Sequence, residues 1–123
     1  MPSSGMPELA PEVVRQRLLV EGYYAADIDE AQVEGYLQGL ADHLGLRTYG
    51  RPVIFAPAGE GRVQNQGFDA FLPLIDSGIS LYVWTGPRFL ATVVFTCKAF
   101  DEAAAIEYTR HRLTLGVFEA KAF

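Results

Sequence analysis

The amino-acid sequence predicts an α+β two-layer sandwich, a mostly antiparallel sheet with two helices on one face. Three observations predict it. Two segments carry apolar residues at helical spacing behind an aspartate suited to an N-cap, starting at Asp29 and Asp101. Between them, segments 67–75, 79–84 and 89–97 read as three consecutive strands joined only by Asp76-Ser77-Gly78 and Thr85-Gly86-Pro87-Arg88, connections short enough to favour antiparallel hairpins. The chain has 123 residues, 50% of them hydrophobic and 20% charged, which is enough for one core and too little for two.

Residues 1–14, opening Met-Pro-Ser-Ser-Gly-Met-Pro, read as a disordered tail ahead of a domain spanning 15–123. Met1 to Pro7 carry no basic or apolar region of the kind that marks a signal peptide. Arg15 to Tyr24 reads as a strand, central because the run from Leu18 to Tyr24 is apolar on both faces, with Glu21 inside it. Asp29 caps a helix with Gln32 as its capping partner; Val33, Tyr36, Leu37, Leu40, Ala41 and Leu44 form its stripe, and Gly45 ends it. Leu46 to Phe55 reads as a second strand, and the Gly-rich polar stretch 56–66 as a loop. In the third hairpin strand Phe89, Ala91, Val93, Phe95 and Cys97 share one face, and Leu90, Thr92, Val94 and Thr96 the other. Asp101 opens a helix through Ala103, Ile106 and Leu113, and Thr114 to Phe123 closes the sheet. The order is β-α-β, a loop, then β-β-β-α-β; it hints at an internal duplication without a sequence repeat.

With both helices on one face, the other face needs a cover. Tyr82, Trp84 and Phe89 fall there, so a homodimer formed by stacked sheets is expected. The net charge of −5 opposes binding to nucleic acid or to anionic membrane surfaces. No apolar run approaches the roughly 20 residues of a membrane span. A single cysteine, Cys97, suits a reducing compartment, and a cytoplasmic address follows as the expectation.

Ser77, in Asp-Ser-Gly, is the residue type tight turns prefer, so a plain hairpin turn is one reading and a nucleophile the other. The two histidines, His43 and His111, fall on the helices, the first facing solvent and the second near a helix C-terminus, which weakens a Ser-His-acid triad. No His, Cys or acid spacing suggests a metal site. Cys97, ending a buried strand, reads as core filler or as a reactive thiol. Glu21 either sits in an apolar central strand, where it needs a partner or a task, or points outward on an edge strand. The segment Ala58-Gly59-Glu60-Gly61 lacks the lysine and following helix of a phosphate cradle.

Ile75-Asp76-Ser77-Gly78-Ile79-Ser80-Leu81-Tyr82-Val83-Trp84, running on to Phe95-Thr96-Cys97, resembles the bacterial S-adenosylmethionine decarboxylase family. The likeness spans about Arg17 to Val117. It includes Leu19-Val20-Glu21-Gly22-Tyr23, similar to the family's first strand with its glutamate, and Phe55-Ala56-Pro57, similar to its Phe-x-Pro. The spacing from serine to cysteine matches. The resemblance implies a chain that cuts itself between Asp76 and Ser77 and converts Ser77 to a pyruvoyl group, with no metal. That group forms a Schiff base with a small-molecule substrate, S-adenosylmethionine or another amino acid, and takes up electrons as carbon dioxide leaves. Cys97 then matches the residue that reprotonates the carbanion, Glu21 a substrate-site acid and Phe55 an aromatic stacking on adenine. Tyr82 and Trp84 fall in the substrate-binding strand.

The same resemblance marks departures. Gly78 and Tyr82 stand where the family has histidines, Asp69 near an assisting serine, and Gly86 in place of the glutamate that holds the ribose hydroxyls. Loss of that acceptor weakens any preference for a nucleoside, on which a role in polyamine synthesis depends. Two alternatives stand beside the decarboxylase: an unprocessed relative that binds a ligand or regulates a partner, and a lyase or cyclase that uses S-adenosylmethionine without a pyruvoyl group.

Overall fold

A computed structural model describes residues 7–56 and 66–123. In chain order the elements are β1 (Gln16–Tyr24), α1 (Glu30–His43), β2 (Val53–Phe55), β3 (Gly67–Leu74), β4 (Ser77–Trp84), β5 (Phe89–Thr96), α2 (Glu102–Leu113) and β6 (Leu115–Ala122). The strands form one sheet in the order β2-β3-β4-β5-β1-β6, with every neighbouring pair antiparallel. This is the predicted α+β sandwich, with α1 over β3 and β4, α2 over β1 and β6, and the two helices touching each other.

Period-two alternation produces the core. Leu18, Val20, Leu72, Leu74, Ile79, Leu81, Leu90 and Val94 project to the helix side and are buried. Val33, Tyr36, Leu37, Leu40 and Ala41 of α1 meet them, as their spacing predicts. The Tyr36 hydroxyl shares a 2.8 Å hydrogen bond with Thr109 Oγ1 between the helices, and burial pushes its pKa up to about 12. Asp29 caps α1 by accepting from the Gln32 N–H at 2.8 Å, and Asp101 caps α2 by accepting from the Ala104 N–H at 3.1 Å. Gly45 takes the left-handed backbone, φ 69°, that lets the chain leave α1.

Several expectations need correction. The second strand is not Leu46–Phe55 but only Val53–Phe55, with a lone bridge from Thr48 to Leu74. Residues 49–51 bend away, and Pro52 has no N–H to give a ladder. The Gln32 side chain does not complete a capping box; it accepts from Arg112 Nη1 at 2.9 Å. In α2 the buried stripe is Ala105, Thr109 and Leu113, and Ala103 faces solvent. Glu21 is not on an edge, because β1 lies between β5 and β6.

The first six residues of the expected tail, and residues 57–65 of the expected loop, lie outside the described residues. Residues 7–14 form neither helix nor strand; Glu8 pairs with Arg15, and the Val13 N–H donates to the Ala10 carbonyl at 2.9 Å. Among the described residues no helix is long and apolar enough to cross a membrane.

Candidate functional site

The β3–β4 connection is a two-residue turn, Ile75-Asp76, closed by the pair Leu74 and Ser77. Ser77 is therefore the first residue of β4 and not the centre of the turn expected at Asp76-Ser77-Gly78. Its φ is 129°, a region that suits glycine, costs other residues about 1–3 kcal/mol and persists only where the surroundings impose it.

The surroundings do impose it. Asp76 is 2% exposed, and its carboxylate accepts from the Arg47 backbone N–H at 3.0 Å and from Arg47 Nη2 at 2.8 Å. The Ile75 N–H donates to the Arg47 carbonyl at 2.8 Å, and the Cys97 N–H donates to the Asp76 carbonyl at 2.8 Å. Lys98 Nζ donates to the Gly45 carbonyl at 3.0 Å, tying the segment after β5 to the end of α1. The hydrogen bonds from Arg47, side chain first and backbone second, hold the Asp76 carboxyl at about 2, so it is an ionised acceptor at neutral pH. The peptide joining Asp76 to Ser77 is thus fixed at its side chain and at its carbonyl, immediately before a strained serine.

Cys97 is exposed, against the expectation of a buried strand end. The ladder of β5 stops at Thr96, which pairs with both Ser77 and Gln16, and the chain then turns toward α2. Ser77, at the start of β4, and Cys97, just past the end of β5, are therefore brought to one end of the sheet.

The remaining candidates sit elsewhere. The registers place Phe55, Asp69, Tyr82, Ala91, Glu21 and Glu119 in one row across the helix-free face. A groove of about 460 Å³ opens beside this row, lined by Val53, Phe55, Asp69, Ala70, Phe71, Ser80 and Tyr82. Small Ala91 separates Tyr82 from Glu21, whose backbones are two strand spacings, roughly 10 Å, apart. Trp84 does not line the groove. It packs on Phe89, ring centroids 5.8 Å apart, and Phe89 packs on Tyr23 at 5.1 Å. Tyr82 lies five residues beyond Ser77 along β4, about 17 Å at the rise of an extended strand.

Three residues of these clusters escaped the sequence reading. Arg47 gave no signal, because its partner Asp76 is 29 residues away. Ala91 was placed on the correct face, but its neighbours across the sheet depend on register. Phe71 lies so close over Gly78 that a Cβ on Gly78 would come within 2.5 Å of the ring. His43 is stacked on Tyr108, centroids 5.1 Å apart, and takes no part in either cluster. No group of three or more His, Cys, Asp or Glu residues suited to a metal occurs among the described residues.

The solved structure of the adenosylmethionine decarboxylase from Aquifex aeolicus VF5 is similar to this chain, with a TM-score of 0.69 and 19% sequence identity over 90% of this chain and 89% of that one. No protein-family model matches the chain, and no curated protein matches it. The likeness extends to both helices and the antiparallel sheet, so the chain has an adenosylmethionine decarboxylase-like fold.

Proposed function

We propose that this chain cuts itself between Asp76 and Ser77 and works as a pyruvoyl-dependent decarboxylase of an amino acid or of S-adenosylmethionine. The observation that carries this reading is the strained Ser77 behind a carbonyl pinned by the Cys97 N–H. The Ser77 hydroxyl attacks the Asp76 carbonyl carbon, the peptide C–N bond breaks, and the freed amine takes a proton. The Cys97 N–H, already on the carbonyl oxygen, holds the negative charge that develops there. Loss of the Ser77 α-proton and of the ester oxygen then releases the Asp76 carboxylate. Water replaces the nitrogen of the resulting dehydroalanine and ammonia departs. The pyruvoyl group left at position 77 is an electron sink for decarboxylation.

The chain's residues fit that group. Ser77 heads β4, so the new terminus stays anchored by pairing on both sides, to β3 and to β5. Cys97 is exposed just past the end of the neighbouring strand β5 and serves as the proton donor. The groove, lined by Val53, Phe55, Phe71 and Tyr82, receives the apolar or aromatic part of a substrate. Gly86 replaces the ribose-binding acid, which favours a substrate other than a nucleoside.

Tyr82 and Glu21 lie too far along the sheet to serve Ser77 of the same chain. The proposal therefore includes a homodimer in which a second copy covers the helix-free face and brings these groups to its partner's Ser77. That face exposes 64% of Phe55, 54% of Tyr23 and 41% of Tyr82, apolar side chains that a second copy would cover.

The unprocessed, ligand-binding reading rests on one observation of its own: the Phe71 ring packs against Gly78, where the family's histidine side chain would begin. Intact mass of the purified protein decides between them. The decarboxylase reading expects fragments 1–76 and 77–123, the second lacking an amino group and reacting with a hydrazine. A single full-length mass after prolonged incubation across pH overturns it. Carbon dioxide release from candidate amino acids and from S-adenosylmethionine then identifies the substrate.

A further inference from the structure

We propose that Arg47 is the positioning residue for the self-cleavage, an inference that rests on the reading above. Arg47 touches no reacting atom. It grips Asp76 twice, by its backbone N–H at 3.0 Å and by its guanidinium at 2.8 Å, while its carbonyl accepts from the Ile75 N–H at 2.8 Å. Both residues of the turn are thereby fastened to the segment leaving α1. That segment is itself held, because Leu46 donates to the Ala41 carbonyl at 2.9 Å and Lys98 Nζ to the Gly45 carbonyl.

The geometry makes this more than a structural pair. A turn free to relax would return Ser77 to ordinary extended backbone, since nothing local favours φ 129° in a serine. Asp76 stands between two anchors, with Arg47 on its side chain and the Cys97 N–H on its carbonyl. Those anchors set where the carbonyl carbon sits relative to the Ser77 hydroxyl. A shift of about 1 Å in such a contact costs on the order of 100-fold in rate. The Arg47 side chain is 64% exposed, so removing it leaves the core untouched.

The test compares the first-order splitting rate of freshly made precursor for wild type, Arg47→Ala and Arg47→Lys, with melting temperature measured alongside. Arg47→Ala is expected to split about 100-fold more slowly while remaining folded, and Arg47→Lys to fall between, because an ammonium supplies charge without the two-pronged grip. The pH profile separates positioning from a general loss of stability. The charged groups around the Asp76 carboxylate are Arg47 and Lys98, with the Cys97 thiol and Tyr49 beside Arg47. Without the guanidinium, the acid limb of the splitting rate moves to higher pH. If wild type splits and Arg47→Ala splits at the same rate with the same acid limb, Arg47 has no such role although the cleavage reading stands. If wild type never splits, the cleavage reading fails and takes this inference with it.

Discussion

The ring of Phe71 occupies the space in front of Gly78, so that a single methyl there would approach it to 2.5 Å. The two residues lie on paired strands, diagonal to one another, with Phe71 opposite Ser80 and Gly78 opposite Pro73. Phe71 also lines the groove, which couples the shape of the pocket to the absence of a side chain at 78.

Gly78→Ala is therefore expected to destabilise the fold by about 1–3 kcal/mol through overpacking, despite the better strand propensity of alanine. In a Phe71→Ala background the same change is expected to be neutral or stabilising. Urea denaturation of the four proteins closes the cycle, and additive effects would mean that the ring moves aside freely.

Ser77→Gly relieves the backbone while removing the hydroxyl. Net of the entropy that glycine adds to the unfolded chain, about 0.5–2 kcal/mol of extra stability is expected, with no splitting. Ser77→Ala keeps the strain and also stays intact. A Ser77→Gly melting temperature below that of Ser77→Ala, by the roughly 0.5–1 kcal/mol of glycine's extra entropy, would show that position 77 stores no strain.

Asp76 makes stability depend on acid. Its pKa lies at about 2 in the folded chain against 3.8 as the reference, held down first by the side-chain hydrogen bond from Arg47. A group depressed in this way contributes its full stabilisation above the reference value and loses it as pH falls toward 2. Wild type is expected to lose stability over that window more steeply than Asp76→Asn, as followed by circular dichroism during acid titration. Parallel curves would mean that the pair with Arg47 contributes nothing to folding.

Cys97→Ala separates the two contributions of that residue. The N–H that holds the Asp76 carbonyl is main chain and survives, so splitting should continue at close to the wild-type rate. The thiol is exposed, so stability should change by no more than about 0.5 kcal/mol. Substrate turnover should fall strongly. Normal turnover in this variant would remove the thiol as proton donor.

How much of this was legible in the sequence depended on range. The α1 stripe, both N-caps and the alternation in β5 were readable because periodicity and capping are local. Ser77 and Cys97 came into view through a resemblance in spacing, and the structure places them at one end of the sheet, Ser77 heading β4 and Cys97 following β5. Their environment was not readable. Leu46–Phe55 reads as one strand, yet Pro52 and the bend before it leave only Val53–Phe55 as a strand, with Thr48 bridged separately to Leu74. Arg47 and Asp76 meet because α1 returns its C-terminal end to the β3–β4 turn, and no local pattern encodes that contact. The division of the predicted site into two clusters likewise follows from register, which fixes the row shared by Tyr82, Ala91 and Glu21.

The strand order has a consequence for a severed chain. Cutting before Ser77 leaves one piece with β1, β2 and β3 and another with β4, β5 and β6. In the sheet these pieces interleave: β4 abuts β3, and β1 of the first is wedged between β5 and β6 of the second. Three ladders would have to unzip at once for the halves to part. A nicked molecule should migrate as one body on a native gel and fall into two only in denaturant, its connectivity lost and its architecture kept.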